Sequence, residues 1–350
     1  MRAVVKQNPG FDQMEYTDIP EPEVSRDLVK IKIAYSGICG TDQHAFKGTY
    51  ASTVTPIVLG HEFSGIVTEV GPEVKHVKVG DRVTSETTFE TCMVCPSCLS
   101  RDYNLCSKRK GIGTQVNGSM AEYVVSREES IHILPDHVSM LSAALTEPLA
   151  CGVHASIEKA KVQPGELVCV FGAGAIGQMV AQVSKSQGAT VIVAGLSSDV
   201  ARLQLAKAAG ADYTVNQGEE DIDAIIRDLT DGYGVDVAFE CSGAVPALNK
   251  ALQLVRRKGR VIQMGVFAEE KNTIFTDLIL HREIEYIGSR SQKPSSWRTS
   301  IELLDKGTVV PEKIVTNIVS LEEWRKGFEE MMRGEGIKTV ICCNSDIAEE

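Results

Sequence analysis

Residues 39–62 hold side chains suited to a catalytic metal and a proton path: Cys39-Gly40-Thr41-Asp42-Gln43-His44, then Gly60-His61-Glu62. Zinc takes thiolate, imidazole and carboxylate ligands, and a catalytic site uses three of them while leaving a fourth position for water or substrate. Cys39, His61 and one glutamate meet that requirement. Seen alone, the pair would more simply be a buried thiol and a surface imidazole. A second metal-suited cluster stands nearby, Cys92-x2-Cys95-x2-Cys98-x7-Cys106. Four soft ligands with no histidine and no open position suit a closed, tetrahedral structural zinc. Bound metal also removes the oxidation liability of four exposed thiols.

Besides Glu62, a third ligand for the first site could come from Glu147 or Cys151. They are four residues apart in Glu147-Pro148-Leu149-Ala150-Cys151 and share a helical face. Spacing does not choose between them. Farther on, Leu167-Val168-Cys169-Val170-Phe171 reads as a buried strand leading into Gly172-Ala173-Gly174-Ala175-Ile176-Gly177. A helix is expected from Gln178 to Ser186, and Thr190 to Ala194 supplies the next strand, which makes a βαβ unit of the dinucleotide-binding kind. The glycines admit a pyrophosphate whose charge sits at the helix N-terminus. Gly172, Gly174, Ala175, Ile176 and Gly177 are therefore cofactor candidates. Later runs, Val235 to Glu240 and Arg260 to Gly265, read as further parallel strands. Ligands bind at the carboxyl ends of such strands, where Cys241, Gly265, Val266 and Ser289 join the candidates.

An acidic residue is expected at the end of the second strand to hold the ribose hydroxyls, and Gly195 stands there instead. Without that carboxylate a 2′-phosphate is not repelled, and Ser197, Ser198 and Arg202 are placed to contact it. Asp199 argues the other way. The balance leans slightly to NADP over NAD.

These side chains need elements to hold them. Leu28 to Tyr35 alternates with a period of two, placing Val29, Ile31, Ile33 and Tyr35 on one face of a half-buried strand that delivers the chain to Cys39. The spaced glycines from Gly60 to Gly80 predict a small, turn-rich β-domain. With 350 residues the chain is too long for one ordinary core, and two domains are expected. Charge is acidic, 36 Lys+Arg against 47 Asp+Glu, with no basic patch for a nucleic acid. No apolar run reaches a membrane span of about 20 residues, and the start lacks a signal-peptide core. A soluble, cytoplasmic protein is expected, in which clustered cysteines serve as metal ligands rather than disulfides.

Cys39-Gly40-Thr41-Asp42, Gly60-His61-Glu62, the glycines that follow, the four-cysteine lobe and Glu147-Pro148-Leu149 together resemble the zinc-dependent medium-chain dehydrogenases, sorbitol (polyol) dehydrogenases in particular. Met93 replaces a glycine often found beside the first cysteine of the lobe. The resemblance covers essentially the full chain. It implies an α/β fold: a doubly wound parallel Rossmann sheet over 152–289 and a β-rich, GroES-like catalytic domain from 1–151 and 290–350, with the active site between them. It implies catalytic zinc on Cys39, His61 and either Glu62 or Glu147, and structural zinc on Cys92, Cys95, Cys98 and Cys106. Thr41 would take the substrate proton and relay it through the ribose to His44, and Arg290 would reach the substrate. The implied reaction moves a hydride between a secondary alcohol of a polyol, or its phosphate, and NAD(P), in a homodimer or homotetramer. L-threonine, a simple alcohol and a catalytically silent relative are the alternatives.

Overall fold

The alternating run after residue 27 becomes the strand Leu28–Gly37 in a computed structural model that describes residues 1–348. Val29, Ile31 and Ile33 are buried on one face, while Lys30 and Lys32 pair with Glu69 and Asp346 on the other. Tyr35 departs from the expected row, and Ala34 is buried in its place. The cause is a register shift against the strand Glu62–Val70 between Ile33 and Tyr35. Because strand side chains alternate, a one-residue shift exchanges the faces. Beyond the shift Ser36 and Gly37 are buried, so the chain approaches Cys39 from the interior.

Leu28–Gly37 lies inside a sheet of seven strands. It pairs antiparallel with Glu62–Val70 on one side and with Lys338–Cys342 on the other, so that Gly37 faces both Glu62 and Val340. The strand Tyr123–Arg127 pairs with its beginning. Helix Gly40–Lys47 follows directly, and its Phe46 packs on Phe328 at 5.6 Å and on Trp324 at 6.4 Å between ring centroids. Those two aromatics lie on helix Trp324–Met332. The acidic run from Ser345 to Glu350 predicts a frayed tail, but Ser345–Ala348 form a short helix held to Lys32 through Asp346. The rest of that expectation, residues 349–350, lies outside the described residues.

Two compact units result. One comprises Met1–Glu147, Lys293–Gly307 and the chain from Val315 onward; the other comprises Pro148–Gln292 and Thr308–Ile314. The excursion at Thr308–Ile314 is anchored by the Val310 N–H donating to Gln182 Oε1 at 3.0 Å. The second unit is built on six parallel strands in the order Tyr213–Asn216, Thr190–Gly195, Leu167–Phe171, Val235–Glu240, Val255–Gln263, Glu285–Gly288. Strand order reverses between Leu167–Phe171 and Val235–Glu240, the point where doubly wound sheets bind ligands. Apolar side chains such as Val170, Val193 and Phe239 are fully buried on these strands, as a sheet covered on both faces requires. Among the described residues no helix is long and apolar enough to cross a membrane.

Phe328 is fully buried beneath the helix that follows Cys39. Replacing it with Ala is expected to lower stability by about 3–5 kcal/mol, the usual range for a buried Phe. Chemical denaturation of the purified chain checks this.

Candidate metal and cofactor sites

Cys39 is the extended residue just before helix Gly40–Lys47, and Glu62 opens its strand directly after His61. Gly60 has φ +92, and a side chain there would press on Ser119 and Met120. That turn brings His61 and Glu62 to Cys39. One donor atom from each of Cys39, His61 and Glu62 lies within 4.8 Å of the others. His61 and Glu62 are buried, at 8% and 1% exposure.

Asp42, quoted above only as part of a motif, binds both ligand segments. Its Oδ2 accepts from the Cys39 N–H at 2.9 Å, its Oδ1 accepts from the Gly60 N–H at 3.2 Å, and Oδ1 stands 3.7 Å from His61 Nδ1. Burial raises its carboxyl, against the opposing pull of His61 and the two N–H groups. Burial likewise opposes charge on His61. Asp42 foremost, with Cys39 and Glu147, nevertheless carries that imidazole well above its ordinary value.

Lys338 is the residue that sequence reasoning missed. Its ammonium donates to the Ile38 carbonyl at 2.9 Å and forms an ion pair with Glu62 Oε2. Both side chains are at most 2% exposed. Burial would lower the lysine, but Glu62, Cys39 and Glu147 outweigh it and leave the group raised. Glu147 itself is buried in the first turn of helix Thr146–Val153 and is absent from the three-residue cluster. Cys151, also buried, falls in the second unit. Thr41 is half-buried and His44 exposed on helix Gly40–Lys47, and His44 Nδ1 lies 3.1 Å from Thr49 Oγ1.

Metal fits both donor sets. At the first, thiolate, imidazole and carboxylate meet at one buried place, and His61 Nδ1 has no hydrogen-bond partner there. At the second, Cys92, Cys95, Cys98 and Cys106 converge, with sulfur separations of 3.5 Å for Cys95–Cys98, 3.7 Å for Cys92–Cys106 and 3.9 Å for Cys92–Cys98. Four sulfurs bound tetrahedrally at about 2.3 Å stand about 3.8 Å apart. Backbone N–H groups of Val94 and Cys95 pull the Cys92 thiol down to about 6, toward the thiolate a metal needs.

In the second unit, Gly172 (φ +111) turns the chain out of strand Leu167–Phe171. A side chain at Gly177 would collide with the Gly172 carbonyl, whereas one at Gly174 would meet nothing within 4 Å. The turn therefore packs tightly behind and presents open backbone in front, as a pyrophosphate requires. Helix Ala175–Ser186 begins there, three residues earlier than its apolar run suggested, and includes Ala175 and Ile176. At the next strand end Ser197 and Ser198 are exposed. Asp199 accepts from the Leu196 N–H at 3.0 Å, pairs with Arg202 at 3.3 Å, and its Cβ would lie 3.0 Å from a side chain at Gly195. Asp199 thus approaches the place of the missing acid with its charge partly balanced.

At the carboxyl end of Val235–Glu240, the buried Glu240 carboxylate accepts from the Ser242 and Gly243 N–H groups at 2.8 and 2.9 Å. This shapes the loop after Cys241, whose N–H bonds to the Phe171 carbonyl at 2.9 Å. Gly265 lies against Gly243 and Glu240 with no room for a side chain. Val266 is 91% exposed, Ser289 is buried with its hydroxyl unpartnered, and Arg290 is exposed just after strand Glu285–Gly288. Strand Val255–Gln263 starts before the expected Arg260 and ends before Gly265.

Comparison with known proteins agrees with this construction. Residues 25–136 match the alcohol dehydrogenase GroES-like domain, and residues 175–306 match the zinc-binding dehydrogenase domain. The chain is 51% identical to D-arabitol-phosphate dehydrogenase of Enterococcus avium, over 99% of this chain and 98% of that one. It is 47% identical to sorbitol dehydrogenase of Halalkalibacterium halodurans, over 97% and 99%. Among solved structures, 2R,3R-butanediol dehydrogenase from Bacillus subtilis superposes with a TM-score of 0.89 at 31% identity, covering 98% of this chain and 99% of that one. A zinc-binding dehydrogenase from Sinorhizobium meliloti 1021 bound to NADP superposes with a TM-score of 0.88 at 29% identity, covering 97% and 98%. A Rossmann unit and a β-rich unit with these two donor sets, matched end to end by such relatives, place the chain in the family of zinc-dependent, NAD(P)-linked medium-chain dehydrogenases.

Proposed function

We propose that the enzyme oxidises a secondary hydroxyl of a polyol, or of a polyol phosphate, to a ketose while reducing NAD(P)+. The observation that carries this reading is the Cys39–His61–Glu62 donor set, in a chain about half identical over nearly its whole length to a polyol-phosphate dehydrogenase. Bound zinc supplies a Lewis acid for the substrate oxygen, and the nicotinamide supplies the hydride acceptor. Cys39, His61 and Glu62 hold the metal, with Glu147 as the neighbouring second carboxylate. Cys92, Cys95, Cys98 and Cys106 hold the structural zinc. Thr41 accepts the hydroxyl proton, and His44, three residues along the same helix and open to solvent, is its exit. Gly172, Gly174, Ala175, Ile176 and Gly177 receive the pyrophosphate, with Cys241, Gly265, Val266 and Ser289 lining the rest of the cofactor. Arg290 hydrogen-bonds the substrate hydroxyls or phosphate.

For the nucleotide we infer a slight preference for NADP. Asp199 is already engaged by Leu196 and Arg202, which lowers its power to repel a 2′-phosphate, and two exposed hydroxyls stand beside it. The family resemblance alone carries the further reading of a cytoplasmic homodimer or homotetramer.

Glu147, Arg290 and the relay at Thr41 form a polar surround, and a smaller substrate that leaves these groups unpaired should be penalised. A polyol of five or six carbons, or its phosphate, is expected to show a higher kcat/KM than ethanol, and Arg290→Ala to lose more on polyol than on ethanol. Equal turnover of the two would overturn the polyol assignment. The two metals are expected to separate by mutation: Cys39→Ala abolishes turnover in a folded chain that keeps one zinc, whereas Cys95→Ala mainly lowers thermal stability. Zinc content by mass spectrometry, read beside Tm, decides. Arg202→Ala is expected to raise KM for NADP by roughly tenfold, the worth of one charge-assisted contact of about 1.4 kcal/mol, while leaving NAD nearly unchanged. Parallel changes for both nucleotides would remove Arg202 from the selection.

A further inference from the structure

Glu62, Gly37 and Lys338 lie on three adjacent strands of the first unit, and of the three only Glu62 has an assigned part in the chemistry. Gly37 is the residue paired with Glu62 on one side and with Val340 on the other. A side chain at Gly37 would collide with Glu62 Oε2 and press on Lys338 Cε at 3.1 Å. The glycine therefore clears the space in which the lysine and the carboxylate meet. The lysine has a second hold, the 2.9 Å bond to the carbonyl of Ile38, the residue before Cys39. One ammonium thus grips the backbone beside the thiolate ligand and the carboxylate beside the imidazole ligand.

A buried ion pair is by itself weak evidence for stability, because the desolvation of both partners offsets their attraction. Retention of such a pair at this place calls for another effect. We infer that Lys338 is a positioning residue for the catalytic metal, holding Oε2 of Glu62 and the Cys39 backbone so that carboxylate, thiolate and His61 converge on one ion. Partners that orient metal ligands in this way commonly govern affinity as well as geometry. The inference rests on the assignment of Cys39, His61 and Glu62 to a metal. It also singles out one carboxylate, Glu62, as the one whose Oε2 Lys338 holds in place.

The test uses the purified full chain, with zinc as the probe. Wild type is expected to hold two zinc ions per chain. Lys338→Met is expected to keep the four-cysteine zinc and to bind the other roughly 10–100-fold more weakly in a chelator competition. Cobalt substituted at that site should show a shifted visible spectrum, which a purely structural role would not produce. In a Glu62→Gln background the same Lys338→Met change should have little further effect on affinity, because the interaction it removes is already gone. Lys338→Gln, which retains a donor for the Ile38 carbonyl, carries the test if the methionine variant does not fold, with the same affinity loss expected. Wild-type affinity together with an unchanged cobalt spectrum, in either variant, overturns this inference alone. A wild-type chain holding only the four-cysteine zinc overturns the metal assignment and this inference with it.

Discussion

Burying several anions in one place demands counter-charge, and the first unit is organised by that demand. Cys39, Asp42, Glu62 and Glu147 surround His61, with both glutamates and the aspartate at 7% exposure or less. An isolated buried carboxylate costs several kcal/mol of lost hydration, so such a group persists only when it is paired and hydrogen-bonded. The fold answers from within through the ammonium of Lys338 and through backbone N–H groups directed at Asp42. The remainder of the demand is what makes this a place for a divalent cation. Pairing of Leu28–Gly37 with strands from both ends of the chain, and the absence of a side chain at Gly37, follow from the need to bring these charges together.

The second donor set obeys a different logic. Its four thiols lie within one short lobe, close through local turns, and need no distant partner. Met93 sits there with φ +57, at a position where a glycine would adopt that backbone without strain. The lobe accommodates the methionine and keeps its sulfur spacing. The second unit in turn solves a problem of access: its glycines pack the turn tightly at Gly177 and leave it open at Gly174.

What the sequence made legible was chemistry carried by unusual residues at short range. Cysteines and histidines have few structural uses that demand such spacing, and a glycine motif framed by strand and helix has a physical reason for each member. Lys338 was illegible because lysine is ordinarily a surface residue and its partners are far away in sequence. Asp42 stood inside a motif already read, but its bond to Gly60 exists only in three dimensions. Tyr35 was misplaced because periodicity assumes an unbroken register, and a shift in pairing cannot be seen in one strand alone. The helix at Ser345–Ala348 and the excursion at Thr308–Ile314 were missed for the same reason, since both are stabilised by contacts distant in the chain.

The bond between Lys338 and the Ile38 carbonyl spans 300 positions of the chain. At a translation rate of about 5–20 residues per second, the ribosome delivers its two ends roughly 15–60 s apart. During that interval the strand leading to Cys39 lacks one of its neighbours, and the thiol, imidazole and carboxylate wait without their lysine. The four-cysteine lobe suffers no such delay and is ready for metal almost as soon as it emerges. The two donor sets are thus completed at different stages of synthesis, the four-cysteine lobe while the polypeptide is still growing and the other only once the strand carrying Lys338 has been added.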